Sequence, residues 1–181
     1  MKNLLTATVG TVCLLLGLIL SCDGNKKSGG ESTPTWTDAS TGVFWQVSPS
    51  NDYLTWTDAK TYCANLNDGS GEWALPTVSE LRSLLRGCAF TITGGVCGVT
   101  DECLDPTCWN PQCAGCGDLE GPAPGGAYWP SELTGPIGGY WSSSEFRGQG
   151  AVAVGVDFSV AGFGLRYTSG VDRARARCVR Q

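Results

Sequence analysis

The sequence predicts an α+β domain in which two short helices pack on a twisted antiparallel sheet. Two segments with helical spacing of apolar residues come early, and several segments with strand-like alternation come late. A long stretch rich in glycine, proline and cysteine lies between them. Helices that are segregated from a run of consecutive strands are typical of α+β folds.

The start of the chain reads as a leader and a tether. Lys2 precedes the apolar run VCLLLGLIL (12–20), which is too short to span a bilayer as a mature helix. The sequence ILSC that ends at Cys22 resembles a bacterial lipobox, so we expect a signal peptide over residues 1–21 and a lipid on Cys22. An ordinary signal peptide with a chance cysteine is the alternative. Residues 23–35 are polar and contain no aliphatic residue, so segment 22–37 is predicted to form a lipidated flexible tether.

Residues 38–181 are then expected to form one domain with its own core. The chain has 12 basic and 17 acidic residues and a net charge of −5, which becomes −6 when segment 1–21 with its single lysine is removed. This balance argues against nucleic acid as a partner. The chain contains no histidine, the commonest general base and metal ligand. We therefore expect no catalysis, no cofactor and no metal site.

The first predicted helix is WTDAKTYCANL, residues 56–66. Thr57 is its expected N-cap, with Asp58 in the first turn, where negative charge suits the helix dipole. Helical spacing places five residues on one face: Trp56, Ala59, Tyr62, Cys63 and Leu66. Cys63 is therefore expected to point into the core.

The second predicted helix lies in LPTVSELRSLLRG, residues 75–87. Thr77 and Glu80 have the spacing of a capping box, and Gly87 is suited to end the helix. Its apolar stripe consists of Val78, Leu81, Leu84 and Leu85. Strands are predicted, from alternation and turn residues, at 42–47, 140–144, 151–159, 163–168 and 173–180.

The stretch 87–139 is expected to be a cysteine-rich irregular insert. It holds twelve glycines, six prolines and six cysteines, and cross-links there can replace a core. Besides Cys13 and Cys22 the chain has eight cysteines, an even number that indicates disulfides in an exported protein: Cys63, Cys88, Cys97, Cys103, Cys108, Cys113, Cys116 and Cys178. Cys63 and Cys178 lie outside the insert and are candidates for each other, but spacing leaves every pairing open.

Three motifs invite a chemical reading. CAGC (113–116) could be a redox dithiol or half of a zinc site, but structural disulfides are favoured, since no second C-x-x-C has zinc-ribbon spacing. The serines at 142–144 lack a partner base, so packing in a strand is favoured over nucleophilic chemistry. Asp101, Glu102 and Asp105 lack EF-hand spacing, and a solvated loop is favoured over calcium.

Charge is unevenly distributed along the domain. Residues 87–146 carry seven acids and no Lys or Arg, whereas residues 147–181 carry six arginines and two acids. Arg173, Arg175 and Arg177 alternate with small residues, so a strand would display three guanidiniums on one face. Such an arginine row could bind sulfates or carboxylates. Its alternatives are a charge-protected edge strand and pairing with the acidic insert.

Aromatic residues of the insert are the other candidate ligand-binding groups. Trp109, Tyr128 and Trp129 could stack on sugar rings, or they could form the small core of the insert, which we favour.

Four ordered motifs resemble the C-terminal domain of the Legionella collagen-like adhesin, Lcl: WTDAKTYCANL, EWALPTVSELRSL, YWSSS and RCVR. The resemblance spans about residues 42–181, interrupted by the insert. The matching residues are Trp56, Ala59, Tyr62, Cys63, Leu66, Trp73, Leu75, Pro76, Glu80, Leu81, Tyr140, Trp141, Ser142, Ser143, Arg177, Cys178, Val179 and Arg180. Ala74 departs from the family, which often has Arg before Leu-Pro, so any role of that Arg is not carried over.

The resemblance implies a C-type-lectin-like fold in which Cys63 on the first helix pairs with Cys178 on the last strand. It also implies a bacterial envelope lipoprotein with an adhesin-like domain for sulfated glycans. The formylglycine-generating enzymes share that fold, but the sequence has no equivalent of their active cysteine pair, and fold alone does not confer activity. Calcium-lectin tripeptides such as Glu-Pro-Asn are absent.

We therefore expect a non-enzymatic, lipid-anchored protein of the cell envelope, at the outer membrane or cell surface. Its expected role is a binding or adhesion module for anionic glycans. The alternative is a structural or self-associating envelope protein, a homo-oligomer with no small ligand.

Overall fold

A computed structural model describes residues 33–66, 69 and 71–181. The predicted leader, the lipidation site at Cys22 and most of the tether lie outside the described residues. The elements are β1 (Thr35–Thr37), β2 (Phe44–Gln46), α1 (Trp56–Ala64), α2 (Val78–Ser83), 3-10 turns at Pro106–Cys108, Pro111–Ala114 and Pro124–Gly126, then β3 (Gly139–Glu145), β4 (Val152–Asp157), β5 (Gly162–Tyr167) and β6 (Val179–Arg180). The predicted α+β class is confirmed, with the helices early and most strands late.

The strands form two antiparallel sheets instead of the single sheet that we expected. One sheet has the order β1-β2-β6 and the other β3-β4-β5. The predicted strand 173–180 is the reason for the difference, because it changes partners along its length. Ala174 bridges Leu54, Arg175 bridges Tyr140, and only Val179–Arg180 pairs with β2. The C-terminal segment therefore connects the two sheets.

The ordered fold begins before residue 38. Thr35–Thr37, which we had assigned to the tether, form β1 and pair antiparallel with β2, with Trp36 opposite Trp45. Trp36 is partly buried against the core, so this strand is held by apolar contact as well as by backbone hydrogen bonds. The polar composition of this segment predicts a tether, but Trp36 at its end packs against the core.

The N-cap of helix α1 lies two residues before the predicted one. Thr55, not Thr57, is the N-cap, because its backbone is extended and its Oγ1 accepts from the Asp58 amide at 3.2 Å. Thr57 is exposed inside the helix. Trp56, Ala59 and Cys63 are buried as predicted.

Helix α2 has the predicted capping box. The Glu80 amide donates to Thr77 Oγ1 at 3.2 Å, and the Thr77 amide donates to Glu80 Oε2 at 2.8 Å. The whole predicted apolar stripe is buried: Val78, Leu81, Leu84 and Leu85. The box and the stripe fix both the start of the helix and the face that it buries.

The β3-β4-β5 sheet separates two apolar clusters. Val154 and Val156 of β4 contribute to a large cluster that includes α2 and the insert. Trp141 and Ala153 point to the other side, into a smaller cluster with the buried residues of α1. Successive side chains of β3 and β4 enter the two clusters in turn. Both faces of these strands are therefore covered, and few of their residues are exposed.

The insert is packed and cross-linked, and is not a free loop. Three disulfides lie within it, joining Cys88 to Cys116, Cys97 to Cys113 and Cys103 to Cys108. Arg82 of α2 is buried and donates to the carbonyls of Ile92, Gly95 and Val99 at 2.8–3.2 Å. These contacts attach the first part of the insert to α2 by bonds to backbone oxygen.

Candidate functional site

The arginine row has the alternation that the sequence predicts but not the exposure. Ala174, Ala176 and Cys178 are buried in the smaller cluster, so the arginines between them point to the opposite side. Along the row the guanidiniums become progressively less accessible: Arg173 is exposed, Arg175 is partly buried, and Arg177 is 0 % exposed. The predicted separation of the arginines from the small buried residues is confirmed, but Arg177, a candidate ligand-binding residue, is buried and cannot contact a ligand.

Arg177 is a structural residue, because neighbouring loops cover it. Its Nη1 donates to the Gln46 carbonyl at 2.8 Å and also to the Val47 carbonyl, and its Nη2 donates to the Thr134 carbonyl at 2.7 Å. Its guanidinium lies 4.9 Å from the ring centre of Trp129. Burial lowers the pKa of Arg177, which follows from removing a charge from water. Backbone oxygens, not acidic side chains of the insert, hold this cation.

Two of the three candidate aromatic residues are core residues. Tyr128 and Trp129 are 2 % and 3 % exposed, and the Tyr128 hydroxyl donates to the Gly117 carbonyl at 2.7 Å. Trp129 packs against Phe158 with ring centres 5.3 Å apart. Trp109 is partly buried against Phe146. Sugar stacking on Tyr128 or Trp129 is therefore ruled out by burial, since a stacked ring needs an open aromatic face.

The accessible end of the arginine row is formed by Arg173, Arg175 and Tyr53. The Arg175 guanidinium lies 4.0 Å from the ring centre of Tyr53, which is 53 % exposed. The Arg175 backbone is fixed on both sides: its amide donates to Gly139 at 3.1 Å, and its carbonyl accepts from Trp141 at 2.9 Å. Its Nε is buried and has no hydrogen-bond partner among the described residues. We call these three residues the open end of the arginine row.

Tyr53 was missed by the sequence reasoning. It lies between a polar turn and the first helix, with no period that would mark it. The bridge between Leu54 and Ala174 brings Tyr53 beside the arginine row. That pairing is a tertiary contact which no local pattern encodes.

The motifs with a possible chemical reading have structural roles. Cys113 and Cys116 of CAGC each pair with a different distant cysteine, so they form no dithiol with each other. Ser144 Oγ donates to Asp101 Oδ1 at 2.6 Å and accepts from the Val78 amide at 2.9 Å. Within residues 33–66, 69 and 71–181, no three His, Cys, Asp or Glu side chains form a group that could hold a metal ion.

The helices that the structure describes are short. Over these residues, none is long and apolar enough to cross a membrane.

Comparison with known proteins places the chain in a family. No curated protein matches it. The family model of the Lcl C-terminal domain matches residues 34–180. That match begins at β1 and includes both helices, the insert, both sheets and the arginine row. The chain therefore belongs to the Lcl C-terminal domain family.

Proposed function

We propose that this protein is a non-enzymatic binding module of the bacterial cell envelope. It is held to a membrane by a lipid on Cys22 and binds anionic glycans at the open end of the arginine row. The observation that carries the proposal is the Arg175 guanidinium, which lies 4.0 Å from the ring centre of the exposed Tyr53 and close in sequence to the exposed Arg173.

The geometry of Arg175 suits a sulfate or carboxylate. A guanidinium presents its donors in a planar fork that matches two oxygens of such a group. The Arg175 backbone is hydrogen-bonded on both sides, and the tyrosine ring supports the guanidinium, so less side-chain entropy is lost when a ligand binds. Arg173 is exposed two residues away and would supply a second positive charge. A protein of negative net charge would attract an anion only at such a local cluster.

The scaffold that we propose is C-type-lectin-like. The disulfide between Cys63 and Cys178 ties α1 to the residue before β6, and the β1-β2-β6 sheet joins the two ends of the domain. Both features support that assignment. The four disulfides are in keeping with an oxidising compartment outside the cytoplasm.

A binding experiment with a matched control tests the site. The mature chain carrying Cys22→Ser would be titrated with a heparin hexasaccharide and with its desulfated form. Replacing Arg173 and Arg175 together by Gln should weaken binding of the sulfated probe at least about tenfold, since charge-assisted hydrogen bonds are lost. Arg147→Gln removes one positive charge from another exposed position and should change the affinity little.

Salt provides the second measurement. Binding of the sulfated probe should fall steeply between about 50 mM and 500 mM salt, because exposed charges are screened over that range. A wild-type protein that ignores the sulfated probe at low salt would contradict the proposal. So would an Arg147→Gln variant that loses as much affinity as the double variant, because the attraction would then be unspecific.

The anchor has its own test. The precursor with Cys22→Ser should lose its lipid and leave the detergent phase on partitioning, whereas the wild type should stay in it. If both partition alike, the lipid anchor is wrong.

A self-associating envelope protein is the second candidate. It is favoured by β5, one of the two outer strands of its sheet, in which Leu165 and Tyr167 are 41 % and 51 % exposed. Open strands with apolar side chains can pair with another chain. Mass measured by light scattering should then rise with concentration, and Leu165→Lys should abolish the rise.

A further inference from the structure

Two open grooves lie beside the end of α2, on residues that the arginine row does not include. The first has a volume of about 370 Å³ and is lined mainly by Trp36, Trp129, Pro122, Pro130, Ser131 and Glu132. The second has a volume of about 700 Å³, and its polar lining consists of the hydroxyl residues Ser40, Thr41, Ser79, Ser83 and Thr93. Arg86 lines both grooves and is their shared wall. Each volume is within the roughly 300–1,000 Å³ range of ligand sites.

Arg86 is fixed in place but is only partly used. Its amide donates to the Tyr128 carbonyl at 2.9 Å. Its Nη1 donates to the carbonyls of Ser83 and Leu85 at 2.6 and 3.0 Å, which satisfies two oxygens at the end of α2. Nε and Nη2 make no hydrogen bond to any residue that the structure describes. A positioned guanidinium therefore keeps donors free for a ligand.

Arg86 has two acidic neighbours, Asp38 and Glu132, although neither forms an ion pair with it in the part of the chain that the structure describes. Asp38 is 3 % exposed, and its Oδ1 accepts from the Ser40 amide and hydroxyl at 2.9 and 2.7 Å. Its Oδ2 has no partner among the described residues. Burial alone would raise the pKa of Asp38, but the Ser40 hydrogen bonds and the charge of Arg86 outweigh it and lower the pKa. Glu132 adds a second carboxylate in the first groove.

The presence of both charges favours a neutral ligand over a charged one. An anion bound to Arg86 would meet the fields of Asp38 and Glu132, and a cation would meet Arg86 itself. A neutral molecule with many hydroxyl groups can instead donate to Glu132 and accept from Arg86 without burying an unpaired charge. Its apolar faces suit the tryptophan and proline wall, as amphipathic rings do.

We propose that the Arg86 groove binds a neutral saccharide. One sugar ring lies against Trp36 and the prolines, with hydroxyls bonded to Arg86 and Glu132. The chain continues past Arg86 into the hydroxyl-lined groove. This site is independent of the anion site proposed at Arg173 and Arg175. It involves different residues, and its ligand is expected to carry no net charge. Trp36 supplies the accessible aromatic surface, since Trp129 is almost fully buried.

The test uses the mature chain with Cys22→Ser and three neutral probes: cellohexaose, chitohexaose and maltohexaose. We expect at least one probe to bind in titration calorimetry. Arg86→Gln should weaken it at least about tenfold, because a hydrogen bond to a charged donor is lost. Ser131→Trp fills the first groove from an exposed position and should abolish binding without removing any contact of Arg86. Ser169→Trp, in an exposed turn outside the grooves, is the control and should bind like the wild type.

Salt and the arginine row separate this proposal from the anion site. Affinity for the neutral probe should change less than about twofold between about 50 mM and 500 mM salt, since no net charge is bound. The double variant with Arg173→Gln and Arg175→Gln should bind the neutral probe as tightly as the wild type. The proposal is overturned if none of the three probes binds at millimolar concentration, if binding survives Ser131→Trp, or if Ser169→Trp abolishes it too. A protein that binds a neutral probe but no sulfated probe would contradict the anion site only and would support the neutral-saccharide site.

Discussion

Cys63 of α1 and Cys178 are joined by a disulfide, with Cα atoms 5.4 Å apart and a sequence separation of 115. Both cysteines are fully buried in the smaller cluster, beside Ala176 and Trp141. The bond therefore links the first helix to the end of the chain through a core, not across a surface. This is the pairing that the family resemblance implied.

Removing this disulfide should cost more than removing a local one. In the chain-entropy account, Cys63→Ala with Cys178→Ala should lose about 5 kcal/mol of unfolding free energy, whereas Cys103→Ala with Cys108→Ala should lose about 2 kcal/mol. The difference arises because the second loop spans only 5 positions. Guanidinium unfolding followed by tryptophan fluorescence measures both. Equal losses would show that strain or local packing, not loop length, governs their effect.

Arg177→Gln should destabilise the domain by at least about 3 kcal/mol. Three hydrogen bonds from a charged donor, to the carbonyls of Gln46, Val47 and Thr134, would be lost, and each such bond contributes about 1.5–3 kcal/mol. Arg173→Gln is the matched control and should change the free energy of unfolding by less than about 0.5 kcal/mol, since Arg173 is exposed. Urea unfolding measures both variants. Similar unfolding midpoints for the two would argue that Arg177 is not a structural residue.

Gly115→Ala should be poorly tolerated, whereas Gly164→Ala should be nearly neutral. Gly115 has φ of 95°, and an added Cβ there would clash with the backbone at residues 160–162. Left-handed strain and overpacking each cost about 1–3 kcal/mol, so a loss of at least about 2 kcal/mol is expected. Gly164 has open space for a Cβ. Melting temperatures of the two variants provide the comparison, and equal values would contradict the close approach of the insert to β5.

Asp38 should make stability depend on pH in the acidic range. Its pKa is lowered in the folded protein, so its stabilising contribution is complete above the unfolded pKa of about 3.9 and is lost as pH falls through the folded pKa. Asp38→Asn removes this titration. The stability difference between wild type and variant should therefore shrink below about pH 4. Urea midpoints from pH 7 to about pH 2.5 measure it, and a constant difference would exclude a titrating Asp38.

Local patterns were enough for the helices and for four of the strands, β2 to β5. The capping box of Thr77 and Glu80 uses atoms three residues apart, so the sequence itself specifies its geometry. The alternation around Ala174 and Ala176 correctly separated buried small residues from arginines, because successive side chains of an extended chain point to opposite sides. The cap at Thr55 was missed, since neighbouring threonines offer the same hydroxyl and only the backbone conformation distinguishes them.

By itself the sequence determined the class of fold, the family, and the direction in which each arginine of the row points. Only the tertiary structure decided which of these arginines solvent can reach. Arg177 is covered by residues 46–47 and by Trp129 and Thr134, which are distant in sequence, whereas Arg173 is covered by nothing comparable. Periodicity specifies the side of a strand that a residue occupies. What lies on that side depends on long-range packing, which also brings Tyr53 to Arg175 and Asp38 into the field of Arg86.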